Sequence, residues 1–426
     1  MTLDRRGFLG RGLLGAVAAG TAMLSAPAVL GLSRPRVVVI GGGSGGATAA
    51  RYIARDSEGA IDVVLIEPSR TYYTCFFSNL AFGGFWDLEN TAFTYDRLAT
   101  AHGVNVIHDL AVGVDRDARL VRLGGGGTVA YDRLVVAPGI DFVEGSVAGW
   151  DMGAQGAMPH AYKGGTQAAL LKAQIEAMPV GGIFAMVAPP NPYRCPPGPY
   201  ERISMVAHHL KTHNPTAKIL IFDPKPGFSK QALFEEGWAN HYPGMIEWIG
   251  PEMGGGDIAV QPATMDVLVG GVAERVDVCN VIPGQRAGNI AALAGLTNEA
   301  GWAPVVPDDM RSRVDENVFV LGDAAAQGDM PKSGFSANSQ AKVAAMAIRG
   351  ELTGSRVFPA RYSNTCWSLI GTDDGVKVGA NYEPTEEKIA AVDDFISQTG
   401  EDAGLRKATF EESIGWYNGI TADMFG

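Results

Sequence analysis

Apolar residues along this chain fall into short unbroken runs, each closed by a glycine or proline turn and followed by a helical pattern. RVVVIGGGSGGATAARYIA, residues 36–54, reads as a strand, a glycine turn and a helix. Strands that are apolar at every position suit parallel sheets covered by helices on both faces. DVVLIE (62–67), YDRLVVAPGIDF (131–142) and ENVFVLGDAAA (316–326) supply further strands, and the last turns at Gly322 into Asp323 at the start of a helix. A second βαβ pattern stands between them. TQAALLKAQIEAM (166–178) is helical, GGIFAMVA (181–188) a strand, 199–212 a helix, and AKILIFDP a strand ending in Asp223. MPKSGFSANSQAKVAAMAIRG then begins a helix around Ser336–Gln340. The alternation predicts an α/β chain with two nucleotide-binding-type halves. Residues 34–150 and 280–356 make the first, 151–279 the second, and 357–426 a separate C-terminal piece.

The glycine turn carries chemistry. Gly41, Gly43 and Gly46 have the G-x-G-x-x-G spacing around Ser44, with a strand before and a helix after. Such glycines allow a tight turn, close approach of backbone N–H groups to a pyrophosphate, and close helix–strand packing. Glu67 ends the second strand about twenty residues beyond Gly46, where a carboxylate meets the adenosine ribose hydroxyls. YDRLVVAPGIDF, with Ala137 and Gly139, resembles the second strand-turn motif of FAD-binding reductases. ENVFVLGDAAA, with Gly322 and Asp323, resembles their C-terminal motif, in which the aspartate binds the flavin's ribityl chain. In this order and at these separations the three motifs point to FAD. The helix near Ser336 has two readings: its N-terminus stabilises negative charge on the flavin, or it is an ordinary capped helix.

In the second half the phosphate loop is missing. The strand 181–188 runs into APPNPYRCPPGPYER (188–202), which holds six of the 24 prolines. Proline has no N–H to cradle a pyrophosphate and cannot adopt a glycine's positive φ. A nicotinamide-domain fold is therefore expected without its phosphate site, which argues against NAD(P)H as a substrate.

At 426 residues, 46% hydrophobic and 19% charged, the chain has room for two or three cored domains. Residues 1–28 stand apart: Arg5 and Arg6 precede a short Gly/Ala-rich apolar run ending Ala26-Pro27-Ala28, which resembles a twin-arginine export signal. Its removal takes away Arg5, Arg6, Arg11 and Asp4 and moves the net charge from −12 to −14. The expected location is the periplasm, where cysteines can pair. An acidic chain argues against nucleic acid or anionic lipid and suits a basic protein partner. No later segment has the length and apolarity of a transmembrane helix, so no membrane insertion is expected.

Four cysteines remain, Cys75, Cys195, Cys279 and Cys366, and they allow three complete pairings that sequence alone does not separate. Cys75 lies in TYYTCFFSN, just after the second strand of the first half. Here the likeness becomes specific. The chain resembles the flavoprotein subunits of flavocytochrome c sulfide dehydrogenases over essentially its whole length. The export signal, the FAD motifs, the YYTC segment, the NPYRCPPGPYER loop and SNTCWSLI (363–370) carry the match.

The resemblance implies two Rossmann-like domains of the glutathione/disulfide reductase type plus a C-terminal α+β interface domain. It implies FAD joined by a thioether at the position of Cys75, and a redox-active disulfide at the positions of Cys195 and Cys366. Sulfide would open that disulfide by thiol–disulfide exchange. The rival for the pair is a structural staple, stabilising by roughly 4–5 kcal/mol in the chain-entropy model. Cys75 could equally be a thiol packed among aromatic residues, and Cys279, in VDVCNVIP, reads as a buried small hydrophobe.

Glu201, in the first turn of the helix opened by Pro199, either complements the helix dipole or acts as general base for the site. His208, His209 and His213 contain a metal-compatible i, i+4 pair but no carboxylate or cysteine beside it, so a solvated helix end is expected. Trp367 is expected to pack over the site.

The acidic C-terminal end shows no basic amphipathic helix, which disfavours a sulfide:quinone reductase-like enzyme seated on a membrane. The chain has no C-x-x-C-H motif, so the resemblance implies a c-type cytochrome on a second polypeptide as electron acceptor. Against it stand an NAD(P)H-dependent disulfide reductase and a non-catalytic electron-transfer flavoprotein. The latter would not need Cys195 and Cys366 as a pair.

Overall fold

A computed structural model describes residues 34–426; the export segment expected at 1–28 lies outside the described residues. The first half is built on five parallel strands, in the order Val318–Val320, Arg133–Val136, Arg36–Ile40, Asp62–Ile66 and Asn105–Ile107. Val37, Val38 and Val39 of the central strand are fully buried, as their unbroken apolar run requires. The register pairs Ile40 with both Ile66 and Val136, so neighbouring strands stop level with one another. The ladder then runs one step further: Gly41 N–H donates to the Ile66 carbonyl, Ala137 N–H to that of Ile40, and Leu321 N–H to that of Val136. All four motif turns therefore emerge at one carboxyl edge of one sheet, where open α/β folds bind their ligands.

The second sheet has four parallel strands, in the order Ile246–Ile249, Lys218–Phe222, Ile183–Val187 and Val278–Val281. Cys279 lies on its edge strand, fully buried in a core with Val187 and Phe222, as its apolar setting suggests. Beyond Ile183–Val187 the proline loop leads into the helix Gly198–His213, whose second residue is proline.

The C-terminal piece pairs Tyr362–Gly371, Asp374–Pro384 and Ile389–Ile396 antiparallel and covers them with the helix Ala403–Phe425. The fold is thus two Rossmann-like halves with an α+β cap. Among the described residues no helix is long and apolar enough to cross a membrane.

One expected element differs. Asp323 does not start a long helix: Gly322–Ala324 is a single 3-10 turn, and the helix comes only at Gly334–Thr353. Gly328, with φ +68°, and Pro331 interrupt the intervening chain. That helix begins two residues ahead of the expected Ser336, with the Ser333 hydroxyl accepting the Ser336 N–H as its cap.

Candidate active site

The four turns line one groove. Gly41, Gly43, Ser44, Glu67, Ala137, Gly139, Gly322 and Asp323 all contribute to its walls. Gly41 has φ +96°, and a β-carbon there would lie 2.4 Å from the Ala137 carbonyl oxygen, so only glycine fits. Gly46 stands behind the groove rather than in it; its β-carbon would meet the Gly41 carbonyl oxygen at 1.8 Å, so its part is to let helix and turn touch. Glu67 pins the loop by accepting N–H donors from Gly42 (2.8 Å) and Ser69 (2.9 Å). The Ser44 hydroxyl donates to the Gly334 carbonyl at 2.6 Å, tying the first turn to the later helix.

The helix Ser44–Asp56 starts without a side-chain cap or an acidic residue in its first turn, which leaves backbone donors for an anion. Asp323 is buried, and one of its carboxylate oxygens has no hydrogen-bond partner among the described residues. Burial raises its carboxyl above the usual range, against the Arg194 guanidinium 3.9 Å away and the Lys332 ammonium. A buried carboxylate lining a groove calls for a hydroxyl-bearing ligand. A phosphate-accepting helix start and a polyol-accepting carboxylate in one groove fit FAD.

A second cavity adjoins the groove, and Cys75, Phe76, Gly164, Arg194, Ser333 and Gly334 line both. Cys195 and Cys366 line this chamber with Cys75, so residues 120 and 171 positions apart in sequence meet on one wall system. All three are free thiols here: Cys195 and Cys366 share the chamber, and the bond between them that the resemblance implies is not formed in this structure.

Cys195 takes a left-handed backbone conformation (φ +57°), with its N–H donating to the Lys332 carbonyl at 2.7 Å and its carbonyl accepting the Gly198 N–H at 2.8 Å. The Tyr162 hydroxyl donates to the carbonyls of Arg194 and Cys195. Burial pushes the Cys195 thiol well up, and neighbouring Cys366 and Glu201 add to the effect.

Glu201 stands in the first turn of its helix and also faces the chamber, so its two expected roles coincide in one place. Its carboxylate accepts from the Asn79 side chain (2.9 Å) and from the Leu369 N–H (3.0 Å), while burial raises its pKa. Trp367 lines the chamber against Trp416, ring centroids 5.2 Å apart, which fits a packing role. Among the described residues no group of three or more metal-ligating side chains occurs, and the His209 and His213 rings stack at 4.3 Å.

Three functional neighbours escape sequence reasoning. Lys230 is buried with its ammonium 3.0 Å from the Cys366 carbonyl and 2.8 Å from the Ser368 hydroxyl, and burial pushes it down to about 8. Arg194 sits between groove and chamber. Asn79 links Glu201 to Arg202, accepting from the latter at 3.1 Å. Of these, only Arg194, beside Cys195, and Asn79, four residues after Cys75, carried even a positional signal.

In the second Rossmann half the carboxylate that ends the second strand is engaged by neighbouring side chains. Asp223, where a ribose-binding acid would stand, is fully buried. It accepts from the Tyr200 hydroxyl, from Trp248 (3.1 Å) and from the Lys225 N–H (3.0 Å), and it pairs with the Lys225 ammonium at 2.6 Å. Tyr200 in turn stacks on Phe228 at 3.6 Å.

Comparison with known proteins assigns these parts. Residues 35–167 match the pyridine nucleotide-disulphide oxidoreductase model. Residues 168–283 match the central region of the sulfide dehydrogenase [flavocytochrome c] flavoprotein chain, and 359–425 the flavocytochrome c sulphide dehydrogenase flavin-binding region. A sulfide dehydrogenase [flavocytochrome c] flavoprotein chain from Chlorobaculum thiosulfatiphilum is 52% identical over 44 residues, 10% of this chain and 90% of that one. The chain belongs to the flavocytochrome c sulfide dehydrogenase flavoprotein family.

In this family member the central match carries Cys195, Glu201 and Lys230 and the flavin-binding match carries Cys366, and the chamber draws its walls from both and from the 35–167 match, which carries Cys75. The fold is shared more widely. The sulfide:quinone oxidoreductase of Aquifex aeolicus superposes with TM-score 0.68 at 19% identity, covering 91% of this chain and 92% of that one. A NAD-dependent persulfide reductase from A. fulgidus gives 0.59 at 16% identity, covering 88% and 77%.

Proposed function

We propose that this chain is the exported flavoprotein of a sulfide dehydrogenase, working in the periplasm with a separate c-type cytochrome subunit. It is an oxidoreductase that oxidises sulfide with bound FAD. The observation that carries the finer reading is the chamber in which Cys75, Cys195 and Cys366 converge beside the groove. Bound FAD supplies an acceptor that takes two electrons together and releases them singly.

The chain's own residues do the rest. Gly41, Ser44 and the uncapped helix start would hold the pyrophosphate, Glu67 the adenosine ribose and Asp323 the ribityl hydroxyls. Cys75 would form a thioether to the flavin. Cys195 and Cys366, when oxidised to a disulfide, take sulfide by exchange, and Glu201 accepts its proton. The aromatic wall of Phe76, Phe335, Trp367 and Trp416 keeps bulk water from the reacting sulfur. Support for the partner is the acidic surface, −14 after export, and the lack of any haem-attachment motif in the chain.

The test is reduction of the bound flavin by sulfide, followed at its visible absorbance. Sulfide should bleach the wild-type protein, whereas Cys366→Ser keeps its flavin and is not bleached. Bleaching by NADH, or a fully active Cys366→Ser, would refute the reading. Acid precipitation tests the thioether separately: colour stays with the wild-type pellet and leaves the Cys75→Ser pellet.

A further inference from the structure

The two cysteines of the chamber are not equivalent. The Cys366 sulfur lies 3.4 Å from the side-chain nitrogen of Asn364, two positions earlier on the same strand. Residues i and i+2 of a strand share a face, which sets the amide beside the sulfur. Asn364 is buried, and its orientation is fixed. The Ser333 hydroxyl, held as the cap of the helix Gly334–Thr353, donates to the Asn364 side-chain oxygen at 2.5 Å. With that oxygen engaged by Ser333, the NH2 stands nearer the Cys366 sulfur than the oxygen does, 3.4 Å against 3.9 Å. On the backbone side of the same residue stands the buried Lys230 ammonium.

Cys195 has a different environment. The nearby Tyr162 hydroxyl is engaged by the Arg194 and Cys195 carbonyls, and among the described residues no donor reaches the Cys195 sulfur. Burial raises both thiols. At Cys366, Asn364, Lys230 and Ser333 work against that rise, with Glu201 opposing them. At Cys195, Cys366, Glu201 and Cys75 reinforce it, and Lys230 opposes it.

Thiol–disulfide exchange expels the sulfur whose thiolate is better held. We infer that sulfide attacks Cys195 and that Cys366 leaves as the thiolate, with Asn364 as the donor that holds it; this rests on the reading of the two cysteines as a redox pair. The step balances within the site. HS⁻ gives an electron pair to the Cys195 sulfur and forms a sulfur–sulfur bond. The Cys195–Cys366 bond breaks, and its electron pair stays on Cys366. The incoming sulfur is oxidised to the persulfide level, keeping its proton, and the disulfide is reduced by the same two electrons. Where neutral hydrogen sulfide enters instead, its first proton passes to Glu201.

The test needs no variant. Oxidised holoenzyme is mixed with limiting sulfide, quenched with iodoacetamide and mapped by peptide mass spectrometry. The extra sulfur is expected on the Cys195 peptide and a plain alkyl group on Cys366. Extra sulfur on Cys366 overturns the inference alone; extra sulfur on neither removes the redox-pair reading and the inference with it. A second measurement addresses Asn364. In reduced protein at neutral pH, Asn364→Leu should slow alkylation of Cys366 by about tenfold, as loss of a hydrogen bond to a charged group does, and leave Cys195 unchanged. Equal slowing at both cysteines, or none at Cys366, would overturn the role given to Asn364.

Discussion

A β-carbon at position 198 would stand 2.8 Å from the Cys195 sulfur, closer than real side chains approach. Gly198 is therefore what allows the sulfur to lie against the start of its helix. Cys195 itself holds the place with a left-handed backbone, which costs an L residue about 1 kcal/mol and is fixed by the Lys332 carbonyl and the Gly198 N–H. The prolines on either side lower the entropy lost in fixing such a loop.

Gly198→Ala should consequently displace the reactive sulfur without touching the FAD groove, which Gly198 does not line. Flavin content should be unchanged. The rate of flavin reduction by sulfide should fall on the order of 10²-fold, as ångström-scale misplacement of a reacting group does. Stopped-flow absorbance measures it, and a wild-type rate would show that the sulfur position is not critical.

Asp323 has a buried carboxylate oxygen without a partner among the described residues, so a ligand hydroxyl there would satisfy it. In a Cys75→Ser background, where no bond holds the flavin, Asp323→Ala should weaken FAD binding roughly 10- to 100-fold. Flavin fluorescence quenching on titration reads this directly. Equal affinity with and without the carboxylate would mean that Asp323 does not meet the cofactor.

Lys230 makes a stability prediction whose sign is fixed. In the folded chain it loses its proton near a pKa pushed down to about 8, whereas an unfolded lysine holds it to about 10.4. Between those values the unfolded state binds more protons, so Lys230 makes stability rise with pH. The rise is lost as pH falls through about 8, and its ceiling is on the order of 3 kcal/mol. Urea midpoints of wild type and Lys230→Met, compared from neutral pH to about pH 10, should diverge upward for wild type. Parallel curves would contradict the buried ammonium.

How far the sequence reaches depends on whether chemistry is written locally. The FAD groove was legible because its glycines, Glu67 and Asp323 each follow a strand, and strands that stop level put their turns at one edge. The chamber was legible only through the family likeness, since nothing local relates Cys75, Cys195 and Cys366. Lys230 was invisible: in GFSKQ it reads as a surface lysine, and it is buried only because the C-terminal sheet closes over it. The helix Ala403–Phe425 was missed for a related reason. The first turns of its buried face carry Arg406, Thr409, Ser413 and Tyr417, with Arg406 paired to Asp374 and Glu236, and the apolar residues Ile420, Met424 and Phe425 gather only in its last turns.

Glu201 gives the decisive pH experiment. Burial raises its carboxyl above the ordinary range, while Asn79 and the Leu369 N–H hold the charged form in place. As pH falls through that raised pKa the carboxylate is protonated and can no longer take a proton from sulfide. Glu201→Gln lacks this base at every pH, and the ionisation of sulfide itself is common to both proteins. The ratio of wild-type to variant rates should therefore climb towards about 10², the lower range for general base catalysis, as pH rises through the raised pKa, and fall again where sulfide enters already ionised and needs no base. Flavin content and thermal midpoint serve as controls, since a glutamine must turn its NH2 toward one of the two donors. A ratio that stays flat across pH would leave Glu201 with the helix dipole alone.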